Sequence, residues 1–126
     1  MKYVDGFVLV VKKDQVDDYR QMAMQGRDVW MKHGALAYFE CMGDEFTNDM
    51  TGPDTLTFPK LTNLSEDETV WFSFIVFKSK EHRDEVNKMV MEDPEMNSDQ
   101  WKDKPMPFDM KRMVVGGFTA EVEKGI

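Results

Sequence analysis

TVWFSFIVFKSKEHRDEVNKMVMEDP, residues Thr69–Pro94, passes from a short apolar run into a charged, helically spaced segment. Val70–Phe77 is almost continuously apolar and rich in β-branched and aromatic side chains. That composition and length suit a strand covered on both faces. Lys78 and Ser79 break the run, and Ser79 is a good helix N-cap. Beyond it Glu81 and Asp84 sit in the first turn, Val86, Met89 and Val90 share one side, and Pro94 ends the helix near Glu92. Strand, tight turn, amphipathic helix: the rest of the chain falls into place around this unit.

On the N-terminal side, Tyr3–Val11 (YVDGFVLVV) reads as a first strand bounded by Lys12-Lys13-Asp14. Asp14 is the expected N-cap of a helix in which Val16, Tyr19, Met22, Ala23, Gly26, Val29 and Trp30 recur every three or four residues. Gly34 is its expected left-handed cap. Ala35–Met42 reads as strand two. Gly43–Thr55 carries turn chemistry, and Thr55–Phe58 alternates, which predicts a short extra strand before Pro59. Ser65–Glu68 reads as a solvated acidic turn. On the C-terminal side, Glu95–Asp109 is a long connection carrying Trp101, Met106 and Phe108. Met110–Glu121 is the last strand, with Gly116-Gly117 as a bulge or a point of close approach.

The order β-α-β-β-α-β predicts an α+β fold of the split βαβ, ferredoxin-like kind, with a four-stranded antiparallel sheet in one domain spanning 1–126. Two helices cover one face of such a sheet. Strands one and three are nevertheless apolar on both faces, so something must cover the second face. A second copy of the sheet is the simplest candidate, and a homodimer packed through its sheets is expected.

Composition narrows the function classes. The chain has 126 residues, 41% hydrophobic and 32% charged, as in ordinary globular domains. No apolar run approaches the roughly twenty residues of a membrane helix. MKYVDGFVLVV resembles a signal peptide in order only, because Asp5 interrupts it and no small-residue cleavage site follows. The net charge of −8 disfavours nucleic acid as a partner. The densest basic cluster, Lys102, Lys104, Lys111 and Arg112, has acids among its members. One cysteine, Cys41, suits a reducing compartment, and a cytoplasmic location is expected.

Among residues able to carry chemistry, Asp5 stands first, since an acid inside an apolar strand must be paired, hydrogen-bonded or protonated. Arg112, expected inside the neighbouring last strand, is its natural partner. The two form either a structural ion pair or a charged pair lining a ligand cleft. Glu40 is either an exposed strand residue or a pocket carboxylate, and Cys41, on the opposite face, reads as a small buried hydrophobe. Ser73 is the one polar residue within strand three, where a locally satisfied hydroxyl is expected rather than a nucleophile. Trp71 is a core aromatic or the wall of a cavity. His33 sits where a helix dipole favours imidazolium, and His82 reads as solvated. No metal-ligand spacing, no glycine-rich phosphate loop and no cofactor motif is present, so neither metal nor cofactor is expected. The twelve methionines read as adaptable packing.

Several blocks carry a resemblance to a known family: Tyr3-Val4-Asp5-Gly6-Phe7, Gly34-Ala35-Leu36, Glu40-Cys41 and Phe58-Pro59. They continue with Asp67-Glu68-Thr69-Val70, Ser79-Lys80-Glu81-His82-Arg83-Asp84, Met91-Glu92-Asp93-Pro94, Met106-Pro107-Phe108-Asp109 and Gly116-Gly117-Phe118. In these the chain resembles the YbaA-like family, whose function is unknown and which is placed in the dimeric α+β barrel superfamily. The resemblance implies two sheets closing into a barrel. It also implies a pocket between sheet and helices for a small organic molecule, since superfamily members include cofactor-independent monooxygenases and isomerases. It brings no established catalytic residues. An enzyme of that kind would use Asp5 or Glu40 as base and Arg112 to stabilise an anion, with Trp71 and Ser73 lining the site. The competing expectation is a non-catalytic dimerisation or regulatory module.

Overall fold

A computed structural model describes residues 1–97 and 105–126. Its elements are β1 (Tyr3–Lys12), α1 (Val16–Lys32), β2 (Ala37–Met42), α2 (Phe58–Thr62), β3 (Glu68–Phe77), α3 (Lys80–Glu92) and β4 (Val114–Thr119). Short 3-10 turns at Lys13–Gln15 and Met110–Arg112 precede α1 and β4. The strands form a four-stranded antiparallel sheet in the order β2-β3-β1-β4. Each β-α-β unit is thus parted by a strand from the other unit, as the split order requires.

The unit at Thr69–Pro94 forms the expected strand and helix, with one correction at Met89. Val70, Trp71, Ile75, Val76 and Phe77 are buried. The Ser79 hydroxyl accepts the His82 backbone N–H as the α3 cap. Val86 and Val90 are fully buried, whereas Met89 is exposed. Residues opposite one another across the strands share a face, and two faces follow from the register. Toward α1 and α3 point Tyr3, Asp5, Phe7, Leu9 and Val11 of β1, Trp71, Ser73, Ile75 and Phe77 of β3, and Tyr38 and Glu40 of β2. Ile75 and Phe77 pack with Val29, Val86 and Val90, and Leu9, Val11 and Trp71 pack with Tyr19 and Ala23.

The opposite face carries Val4, Gly6, Val8, Val10, Phe39, Cys41, Val70, Phe72, Phe74, Val76, Val114, Gly116 and Phe118, and among the strand residues its charges are confined to one end, where Lys12 and Glu68 pair. At one end α2 leans on it, with Phe58 edge-on to Phe72 at 6.0 Å. Over the rest the aromatic rings stand in the open: Phe39 is 45% exposed, Phe72 43% and Phe118 60%. The Phe118 ring lies over Gly6 and Gly116, which face each other across β1 and β4, and a methyl group at Gly116 would stand 3.3 Å from it.

Five local expectations are corrected. Asp14 does not cap α1: a bond from the Lys13 N–H to the Asp67 carbonyl draws the chain into a 3-10 turn, and α1 starts at Val16 without a side-chain cap. No extra strand precedes Pro59: residues 55–57 are irregular, and Phe58 opens the helix α2, which has a proline in its first turn and is stopped by Asn63 in the left-handed conformation. Glu68 is not in a solvated turn but is the buried first residue of β3. Cys41 is exposed, because it points away from α1 and α3. Arg112 lies outside β4, in the 3-10 turn capped by Asp109, whose side chain accepts the Lys111 N–H. Gly116 and Gly117 pair regularly with Gly6 and Asp5, so the site is a close approach and not a bulge. Trp101, Lys102 and Lys104 lie outside the described residues.

Candidate functional site

The sequence-derived candidates separate into three places. Asp5 pairs not with Arg112 but with Arg83, whose Nη1 donates to Asp5 Oδ1 at 2.6 Å. Strand β1 is central, so Asp5 faces α3, and α3 supplies the nearer guanidinium. Burial pushes the Asp5 carboxyl above its ordinary value, and the Arg83 charge opposes that push. Arg83 also stands 4.8 Å from the centre of the Tyr3 ring. Asn87, which lowers the Asp5 carboxyl, accepts the Trp30 indole N–H at 3.0 Å, which ties the cluster to α1.

Arg112 is a clasp elsewhere. It donates to both Glu68 carboxylate oxygens, to Asp109 Oδ2 at 2.8 Å, and to the Thr62 and Asn63 carbonyls at 3.2 Å, which end α2. Its hydrogen bond holds the Glu68 carboxyl down to about 2. The clasp fastens α2, the start of β3 and the turn before β4 to one another. A third polar cluster joins the ends of α1 and α3. The buried Asp93 carboxylate accepts from Lys32 Nζ at 2.7 Å and meets His33 Nε2 at 2.6 Å. These two bonds keep its carboxyl well below the usual range. His82 is half-buried rather than solvated, with Nδ1 accepting the Lys78 N–H.

Glu40 stands apart from both Asp5 and Arg112. On β2 it faces α1, accepting the Tyr19 hydroxyl at 2.8 Å on one oxygen and the Tyr38 hydroxyl at 2.7 Å on the other. Burial first, and the Glu40 charge second, raise both phenols far above their ordinary values, so they remain donors. The buried Ser73 hydroxyl meets that of Tyr19. Trp71 stands edge-on to Tyr19 at 4.8 Å, its indole N–H buried without a hydrogen-bond partner among the described residues.

Around Glu40 the space between α1 and the sheet is hollow. A cavity of about 310 Å³ is walled by Tyr19, Trp30, Tyr38 and Phe108, by Leu9 and Ala23, and by Met22, Met96 and Met106. Tyr19, Ala23, Gly26 and Trp30 reach it because steps of three and four residues share one side of a helix. Gly26 opens the wall, since the Tyr38 hydroxyl lies 2.9 Å from where a methyl group would stand. On the other side of Glu40 an outer recess of about 300 Å³ is bounded by Arg20, Arg27 and Trp71. Each arginine is paired with an aspartate of its own helix, Arg20 with Asp17 and Arg27 with Asp28. Among the described residues no three His, Cys, Asp or Glu side chains converge as a metal site would require.

Of the five residues singled out in the sequence, Glu40 borders both hollow spaces, Trp71 the outer recess and Ser73 a smaller adjoining space of about 170 Å³, while Asp5 and Arg112 line none of these three. The tyrosines that hold Glu40 and the ring of Phe108 were not singled out. Tyr19 falls on the apolar stripe of α1, which is the one signal that pointed to it.

The comparisons agree on a single family. The uncharacterised protein YbaA of Escherichia coli strain K12 and that of Shigella flexneri are each 39% identical to this chain over 124 residues, spanning 98% of it and 100% of each relative. The model of the family described as "Protein of unknown function (DUF1428)" matches residues 2–110. With that match over most of its length, the chain belongs to the DUF1428 family.

Proposed function

We propose that the chain binds a small, largely apolar organic molecule in the cavity between α1 and the sheet, with Glu40 as its polar anchor. The observation that carries this reading is a carboxylate held by two tyrosine hydroxyls at the wall of a mostly apolar space, whose lining also includes Gln25. A concave apolar site with few convergent polar groups is the usual form of a ligand pocket. A carboxylate offers about four acceptor positions. The tyrosines use one on each oxygen, which leaves room for a ligand's donor.

A small-molecule fragment screen followed by backbone NMR tests this. Shifts clustering at Tyr19, Tyr38, Glu40 and Phe108 are the expected result. Hits that gather elsewhere, or a screen without hits, would sink the reading.

A second reading, a dimerisation module, is favoured by the outer face of the sheet, which is apolar beyond the Lys12–Glu68 end. Phe39, Phe72, Val114 and Phe118 are exposed on one contiguous surface, and a second copy meeting it about a two-fold axis would bury like against like. The two readings are compatible. Native mass spectrometry of the purified protein is expected to give twice the chain mass, and a monomer at micromolar concentration would remove the second.

A further inference from the structure

We infer that the ligand of the Glu40 cavity is an organic cation, an amine or ammonium group carried on an apolar body. This rests on the binding reading above and names the class of molecule. Glu40 is the single charged side chain among the described residues lining the inner cavity. Around it stand aromatic rings: Trp30 and Tyr38 lie 6.2 Å apart between ring centres, and Tyr19 and Phe108 6.0 Å. The faces of such rings are electron-rich and attract cations, most strongly where water is excluded. Methionine side chains complete the wall and are polarisable in the same sense.

The rings and methionines accept a cation, and the Glu40 charge favours one over the alternatives. An anion entering this cavity would meet the Glu40 charge with no basic side chain of the described lining to offset it. Arg20 and Arg27 lie on the outer recess and are matched by Asp17 and Asp28. A neutral apolar molecule would leave the free acceptor positions of Glu40 without a donor, which costs binding. An N–H of a protonated amine would satisfy them while its carbon body filled the space between the rings.

Benzylamine, benzyl alcohol and benzoate form a matched series of cation, neutral molecule and anion for calorimetric titration near neutral pH. Benzylamine is expected to bind at least about ten times more tightly than benzyl alcohol, and benzoate more weakly than either. Glu40→Gln should remove that preference, bringing the ratio of benzylamine to benzyl alcohol affinity down to within about twofold of one. Should Glu40→Gln fail to fold, Phe108→Leu keeps an apolar wall and removes a ring, and the ratio of benzylamine to benzyl alcohol affinity should fall. Equal binding of amine and alcohol, or tighter binding of benzoate, would overturn the cation inference while leaving the cavity a ligand site. Failure of all three probes to bind would count against the cation and, with an empty fragment screen, against the cavity itself.

Discussion

At the scale of single residues, two buried acids are stabilised in opposite senses. Asp5 is held in the core by Arg83 against the cost of burial, which raises its carboxyl. Arg83→Met leaves that charge without its cation, and breaking such a pair costs roughly 3 kcal/mol. The loss should be largest near neutral pH and shrink as the solution is acidified, because protonated Asp5 no longer needs the partner. Urea unfolding of both proteins at two pH values reads this directly, and a loss independent of pH would contradict it. Glu68 is the reverse case, with its carboxyl lowered from 4.5 to about 2 by Arg112. The stability it contributes is complete above the unfolded value and is lost as pH falls from 4.5 toward about 2. An acid titration of unfolding should show that limb in the wild type and a shallower one in Arg112→Gln.

At the scale of elements, α1 is built around an absence at Gly26. Replacing a mid-helix glycine by alanine ordinarily stabilises by up to about 1 kcal/mol. Here the added methyl would meet the Tyr38 hydroxyl, so Gly26→Ala should gain little in melting temperature and should weaken ligand binding by displacing Tyr38 from Glu40. A full gain with unchanged binding would show that the hydroxyl has room to move. The elements differ in how plainly the sequence announces them, for physical reasons. Helix α3 was legible to the residue because Ser79 and Pro94 bracket it. Helix α2 was missed although Pro59 and Asn63 mark its ends, because five residues are too few to show a helical period. The start of β4 was placed too early because the Asp109 cap, a local side-chain bond, outweighed the strand preference that follows it. Partner choice was the least legible. Tyr19 and Glu40 come from different elements, and Arg112 had acids in three places to choose from. Only the register and the turn before β4 select Glu68 and Asp109.

At the scale of the whole molecule, the proposed dimer rests on the outer face of the sheet, apolar beyond its Lys12–Glu68 end. If a second copy covers it, Phe72→Glu places a charge near the centre of the contact and should raise the dissociation constant at least about thirtyfold. Light scattering over a dilution series measures this, and an unchanged dimer would move the interface elsewhere. The sheet order also has a consequence in time. Strand β1 is made first, yet it occupies the middle of the sheet, with Tyr3 opposite Phe77 on one side and Thr119 on the other. A nascent chain ending after α3 can pair β1 with β3 but leaves its other edge bare. Closing that edge joins residues more than a hundred positions apart, a slow step for a small protein. The first strand to leave the ribosome is therefore the last to be enclosed, and until residues 114–119 arrive its exposed edge is where a chaperone, or an unwanted neighbour, would bind first.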